Sequence, residues 1–301
     1  MGIKTLETQA NFYEVTLRLQ SERFDVQTLD EYHLILSVGR DAFKVCILDT
    51  NTHEIMLIED YVFYGSPSMT EVLSVFNSIY DAHLFLKANF WKKISVIIRD
   101  EPFTLIPNEF FEEDQLGKYL RWISPIPTTH FVYTCEQPTI DAKDVFLINQ
   151  ELLEWLQNVA YAQKKVHFYH QSATFIEGIM NQHHLGQPLQ VHIQVEKSYL
   201  LVVVKRNKVL EFCNMFHYKT AQDFIYFILL TLDELRLDPQ NCQILLYGNI
   251  KQQSSIFDLL YRYTKNVQFA KEPIKNLQIG QNLEKLPHYQ YFDILSAHYL
   301  L

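Results

Sequence analysis

Residues 189–216 read LQVHIQVEKSYLLVVVKRNKVLEFCNMF. Leu189–Glu196 alternates apolar and polar residues, the period of a strand with two unlike faces. Ser198–Lys205 (SYLLVVVK) is rich in β-branched residues, and Asn207-Lys208 turns the chain into Val209–Phe216. Three strands joined by tight turns make an antiparallel meander. The period then changes. Phe224, Phe227, Ile228, Leu232 and Leu235 recur at steps of three and four, which predicts a helix over Thr220–Leu237. Gln243–Tyr247 (QILLY) is short and mostly apolar, as in a strand covered on both faces, and it ends at Gly248. A second helix is predicted over Ser254–Thr264 and a last strand at Val267–Ala270. The order is β-β-β-α-β-α-β.

The same order is legible upstream. Tyr32–Val38, Phe43–Asp49 and Glu54–Phe63 read as strands, and Thr70–Asn89 as a long helix with Thr70 as its N-cap. Ile94–Arg99 and Phe103–Ile106 are strand-like, Asn108–Trp122 begins as an acidic helix, and Phe131–Cys135 is another strand. Val145–Ile148 leads into a helix over Gln150–Gln163, then a strand at Val166–His170 and a helix over Ser172–His183. Three antiparallel strands feeding parallel β-α units on one mixed sheet form the ribonuclease-H-like unit. Two βββαβαβ halves in one chain predict an α/β protein in an actin-like arrangement, with a cleft between the halves. The loop Gln182–Pro188, with Gly186 and Pro188, marks the expected boundary. The first half is then 1–185, with a small α+β insert at about 94–144, and the second is 186–301.

Composition agrees with a large folded core. Of 301 residues 48% are hydrophobic and 14% aromatic, which a disordered chain would lack. The net charge of −9 and the scattering of Lys92-Lys93, Lys164-Lys165 and Lys205-Arg206 argue against nucleic-acid binding. Cys46, Cys135, Cys213 and Cys242 are far apart and form no C-x-x-C, so buried thiols in a reducing compartment are expected. The N-terminal MGIKTLETQANFYEV has no apolar signal core, and Phe224–Leu232 is too short to span a bilayer. The expected location is cytoplasmic, without membrane insertion.

Three stretches carry a resemblance. NQELLEWLQNVAYAQKKVHFYHQSATFIEGIM (149–180) resembles the helix-strand-helix that closes the first half of actin-like proteins. VIIRDEPFTLIPNEFF (96–111) and KLPHYQYFDILSAHYLL (285–301) resemble a family of uncharacterised bacterial proteins of actin-like ATPase fold. The resemblance covers essentially the whole chain and brings no assigned activity. It implies that the insert corresponds to the small subdomain in the first half of bacterial actin-like proteins, including cell-division and pilus-assembly or secretion scaffolds.

The resemblance also implies where nucleotide would sit. Actin-like ATPases hold phosphates on two glycine-containing hairpin turns, each with an Asp near the Gly, because side chains would block the approach of backbone N–H groups. The first turn here is Ser37-Val38-Gly39-Arg40-Asp41. Gly39 fits, Ser37 stands where Asp is expected, and Asp41 comes two residues late. The second turn, Val195-Glu196-Lys197-Ser198, has no glycine. The nucleoside turn, Tyr247-Gly248-Asn249-Ile250, keeps one. The eight glycines include no adjacent pair and no G-x-G, which excludes a Walker loop and a dinucleotide fingerprint. His167 and His170 fall on opposite faces of a strand, and His183-His184 suits a helix end, so no metal is expected.

The expected function is a non-catalytic actin-like scaffold or regulatory protein-binding module with degenerate phosphate turns, no required cofactor, an unidentified protein partner and room for a homodimer. The tail Pro287–Phe292 is a candidate contact strip whose simpler role is packing against the body. An alternative is an ATP/Mg binder with weak or no hydrolysis, using Ser37, Gly39, Lys197, Gly248 and Asn249. A sugar-kinase-like enzyme ranks last, for want of a catalytic Asp near the start of the second half. An open polar cleft with amides at Gly39 would favour binding. A cleft filled by Tyr, Phe and Leu side chains would favour the scaffold.

Overall fold

The computed structural model describes residues 13–65, 68–162, 164–182, 187–271 and 274–300. The first sheet begins with β1 (Tyr13–Gln20), β2 (Tyr32–Val38), β3 (Ala42–Asp49) and β4 (Glu54–Phe63), followed by helix α1 (Met69–Ala82) and β5 (Lys93–Ile98). The chain then builds a separate three-stranded sheet from β6 (Phe103–Pro107), β7 (His130–Gln137) and β8 (Ala142–Asn149), with α2 (Leu116–Arg121) packed on it. It returns through α3 (Gln150–Glu154) to β9 (Val166–His170) and α4 (Gln171–Asn181). The second sheet contains β10 (Leu189–Val195), β11 (Tyr199–Arg206), β12 (Val209–His217), β13 (Gln243–Gly248) and β14 (Val267–Phe269), with α5 (Ala221–Glu234) and α6 (Ser255–Tyr263) between them. A short strand β15 (Gln278–Ile279) and α7 (Phe292–Ser296) end the chain.

The two large sheets share one order. The first runs β4-β3-β2-β5-β9 and the second β12-β11-β10-β13-β14. In each, the first three strands are antiparallel and the remaining pairings parallel. This is the duplicated ribonuclease-H-like unit, and the chain has the actin-like fold. The helices equivalent by this order, α1 and α5, both open on capping boxes: Ser68 with Glu71, and Thr220 with Asp223.

Several expected boundaries shift for physical reasons. The cap of α1 is Ser68 rather than Thr70, because Glu71 at the third helical position reaches back to the Ser68 amide at 2.7 Å. The helix ends at Ala82, seven residues early. His83 leaves it in an extended conformation, with its ring held by Glu59 at 2.9 Å. The predicted helix 108–122 is helical only at 116–121 beyond two short 3-10 turns. Tyr119 pins the stretch before it, its hydroxyl donating to the Phe110 carbonyl and accepting from the Glu112 amide, both at 2.8 Å. The predicted helix at 150–163 passes into a π-turn at Trp155–Ala160. Lys93–Ile98 lies in the main sheet between β2 and β9, so the inserted sheet proper runs from 103 to 149. The strand β1 was not foreseen. It pairs antiparallel with β4.

The halves are sealed around α4, buried along 171–180. Gly178 allows α7 to approach: an added Cβ would lie 2.1 Å from Ser296 Oγ and 2.7 Å from the Phe292 ring. Phe175, Tyr247 and Phe292 meet with ring centroids 4.6–5.9 Å apart, joining α4, β13 and α7. The expected contact strip therefore packs against the body, with Tyr291 and Phe292 buried. Cys46, Cys135 and Cys242 are buried thiols and Cys213 is half-buried, and all four are free. His183-His184 and Gly186 lie outside the described residues.

Candidate functional site

Strands β5 and β10 end in charged residues that meet across the junction between the halves, at the carboxyl edges where open α/β sheets take ligands. Arg99 follows β5 and Glu196 follows β10. Their side chains are almost fully buried, and Arg99 Nη2 donates to Glu196 Oε2 at 2.5 Å. Asp41, in the β2–β3 turn, has Oδ1 3.6 Å from Arg99 Nη1. Burial alone would pull the guanidinium pKa down, but Glu196, Tyr199 and Asp41 raise it well above its ordinary value.

A polar network surrounds this pair. The Gln171 amide nitrogen donates to Glu196 Oε1 at 3.0 Å and to Asp293 Oδ2 at 2.7 Å, and its carbonyl accepts from Tyr199 at 2.6 Å. Gln194 donates to Glu196 Oε1 at 2.9 Å, and the Tyr218 hydroxyl donates to the Glu196 backbone carbonyl. Both carboxylate oxygens of Glu196 are therefore engaged. Glu196 is thus satisfied, whereas Arg99 Nε and Nη1 are buried without a hydrogen-bond partner, so the network offsets only part of the pair's desolvation penalty.

Above the pair lies a cleft of about 410 Å³, lined by Asp41, Lys44 and Arg99 from the first half and by Lys197, Asn249 and Lys251 from the second. Tyr291 of the tail closes one side. Lys44 is 6% exposed, lies 5.4 Å from the centre of the Tyr291 ring, and has no ion pair within 4 Å among the described residues. Burial lowers its pKa, but Asp293 and Glu196 more than offset this, so the net shift is upward and the ammonium stays charged. Asp100, next to Arg99, is held at φ +59°, and burial pushes its carboxyl up to about 6. It stands 3.5 Å from His217 of the second sheet.

The sequence-nominated residues divide. Lys197 and Asn249 line the cleft. Gly248 lies beneath them at φ +79°, where an added Cβ would stand 2.3 Å from the Val195 carbonyl oxygen. Its requirement for glycine is thus conformational and steric. Ser37 is fully buried inside β2, its Oγ without a hydrogen-bond partner. Gly39 borders a smaller recess with Met69 and Leu152, and its amide donates to the Ala42 carbonyl at 3.0 Å, closing the hairpin. The amides of Glu196 and Asn249 are likewise spent, on the carbonyls of Tyr199 and Val195. These residues do not fit the phosphate cradle that the resemblance implies: the glycine amide is used, and an ion pair bridges the turns. Neither expected cleft is found. It is polar, and its floor is bridged by the Arg99–Glu196 pair, with Arg99 Nε and Nη1 buried without a hydrogen-bond partner.

Sequence reasoning passed over Arg99, Glu196 and Lys44 as site residues. The signal was available in VIIR and LQVHIQVE, where an apolar or alternating strand ends on a charge in each half. A second cluster has the residue types of nucleophilic catalysis: His170 Nδ1 lies 2.6 Å from Ser172 Oγ, which donates to Asp144 Oδ2. All three are buried at 0–1% exposure, and the Ser172 amide caps α4 on His170, so the cluster is structural. No group of three or more metal-ligating side chains occurs among the described residues, and no described helix is long and apolar enough to cross a membrane.

The family model for a protein of unknown function, DUF3822, matches residues 21–267. The chain belongs to the DUF3822 family. Among solved structures it is similar to a Bacteroides thetaiotaomicron protein with actin-like ATPase fold and unknown function, at 20% identity and TM-score 0.72, covering 82% of this chain and 93% of that one. It is also similar to a chain of the PilM–PilN type IV pilus biogenesis complex, at 14% identity and TM-score 0.54, covering 88% and 97%. At these identities the likeness is one of fold, and the fold of this DUF3822 member is actin-like. No functionally curated protein matches the sequence.

Proposed function

We propose that this DUF3822 protein is a non-catalytic actin-like module that acts through contacts with other proteins. The observation that carries the reading is the buried Arg99–Glu196 pair, which spans the junction where the fold would seat phosphates. With the Gly39 amide committed to its own hairpin, the cleft lacks the glycine-amide cradle that would seat the phosphates. The PilM–PilN complex supports the reading by likeness, since a protein of this fold there works in a protein assembly. We further propose the division of the chain near residue 185, with 278–300 returning to pack on the first half.

A second reading is a nucleotide-binding module without hydrolysis. It is favoured by Lys44, Lys197 and Lys251 around one cleft. Calorimetric titration of the full chain with Mg-ATP and Mg-ADP separates the two. Heat with one-site stoichiometry would establish the second reading. The absence of heat at millimolar nucleotide is the result expected for the first.

A further inference from the structure

The two sheets differ at one edge. In the first, the outermost strand of the meander, β4, is covered by β1 along most of its length and by β15 at its start, and eight of its ten residues are buried. Its counterpart in the second sheet is β12. Among the described residues β12 pairs with β11 and with no other strand, and every one of its residues is exposed or half-buried. The Met215 amide donates to the side chain of Asn214 at 2.9 Å and not to β11. By antiparallel alternation Cys213 and His217 also turn their backbone groups outward.

Edge strands are ordinarily blunted by proline, lysine or inward charge. The sequence of β12, VLEFCNMFH, has neither proline nor lysine, and its one bulge, at Glu211, leaves 212–217 in regular register with β11. Its one carboxylate, Glu211, is held by Arg206 at 2.5 and 3.2 Å. Beside the edge lies α5, whose residues 224–230 are all apolar or aromatic. Phe224, Ile225 and Ile228 face the core, whereas Tyr226 is 58% exposed and Leu229 and Leu230 are half-buried. Phe227 stacks on Phe216 of β12 with centroids 4.9 Å apart, so the outer side of the helix and the open edge are one continuous surface.

We propose that this surface is a homodimer interface in which β12 pairs antiparallel with β12 of a second copy. Antiparallel identical strands are related by a two-fold axis, so one patch serves both partners. With the axis at Cys213, Glu211 faces the second copy's Met215 and Val209 faces its His217, and no like charges oppose each other. Nine strand residues span about 30 Å. A strip of that length and about 20 Å wide, including α5, gives roughly 600 Å² per copy and ~1,200 Å² in all, the lower range of a stable interface. A foreign peptide strand would occupy the edge alone and leave Tyr226 and Leu230 in water. A second copy brings a matching helix to cover them. The proposal is independent of what the cleft binds.

Sedimentation equilibrium of the full chain tests it, with two variants. Met215→Pro removes an amide that the β11 ladder does not use, and Tyr226→Lys charges an exposed helix position. A dimer is expected for the wild type at micromolar concentration. Each variant should weaken it by about tenfold or more, and Tyr226→Lys should keep its circular dichroism and, at concentrations where both proteins are monomers, its unfolding midpoint. Amide exchange at Cys213 and Met215 should be slow at dimer concentrations and accelerate on dilution. A wild type that is monomeric throughout, or a dimer that Tyr226→Lys leaves intact with fast exchange at Met215, would overturn the proposal. If Met215→Pro does not fold, Tyr226→Lys and the exchange rates decide.

Discussion

The halves of this molecule agree in strand order, in the capping of α1 and α5, and in ending a central strand on a charge at the junction. They differ in what surrounds that frame. The first half covers its outer edge with β1 and houses an inserted sheet, whereas in the second, among the described residues, β12 pairs with β11 alone. Their glycines differ as well. Gly39 has an ordinary φ and closes a hairpin, and Gly248 sits at positive φ against the neighbouring strand. Duplication preserves the frame because the frame is set by hydrophobic periodicity. The individuality of each half lies in edges and turns, where few contacts constrain the sequence.

The sharpest way to break this comparison is at the charged strand ends. Arg99→Ala leaves Glu196 buried without its counter-charge, and loss of about 3–5 kcal/mol in denaturant unfolding is expected. The exposed pair Arg206–Glu211 of the second half provides the contrast, since Arg206→Ala should change stability by about 1 kcal/mol or less. Equal losses would mean that the junction is not held by its ion pair.

The glycines give the next largest effect. Gly248→Ala places a side chain at φ +79° and within 2.3 Å of a backbone oxygen, so a loss above ~2 kcal/mol is expected. At Gly39 an added Cβ meets Asp41 Oδ1 at 3.2 Å and Arg99 Cβ at 3.3 Å, and Gly39→Ala should lose less. Paired thermal melts rank the two, and the reverse order would contradict the turn geometry.

Asp144 sharpens the comparison through pH. Burial pushes its carboxyl up to about 7, so the folded chain holds a proton that the unfolded chain releases near 3.8. Its destabilising contribution is absent at the lower value, grows as pH rises, and is complete above about pH 7. His33 and His170, both lowered to about 3 by burial, slope the other way. The wild-type profile therefore mixes signs, and a difference measurement is needed. The stability of Asp144→Asn relative to wild type should rise between about pH 4 and 7 and then level off. A pH-independent difference would show that Asp144 does not titrate in this range.

The smallest effect should be the most symmetric. Ser68→Ala and Thr220→Ala remove equivalent caps, and each should lower stability by about 1 kcal/mol. A large effect at one and none at the other would show that the two helices are not held alike.

The core strands of both halves were legible because VVV, IIR and ILLY leave little alternative to a strand. The fold follows from their order. The strand Tyr13–Gln20 went unread although Tyr13, Val15, Leu17 and Leu19 alternate. Its charged faces, with Glu14 and Arg18, gave no sign of β4 as partner. The early stop of α1 coincides with the contact of His83 with Glu59 of β4, which local sequence does not carry. Lys197 and Asn249, nominated by turn position, line the cleft, and Gly248 is the chain neighbour of Asn249. Arg99 and Glu196 meet only because two sheets 97 residues apart in sequence face each other.

The most direct test of the bridged junction is thermal unfolding of the full chain with and without millimolar Mg-ATP, Mg-ADP and Mg-GTP. A ligand that binds only the folded state must raise the midpoint. With the junction occupied by Arg99 and Glu196, no nucleotide should shift it. A reproducible rise of several degrees with any one of them would contradict the reading of a module that works without nucleotide and return the cleft to nucleotide binding.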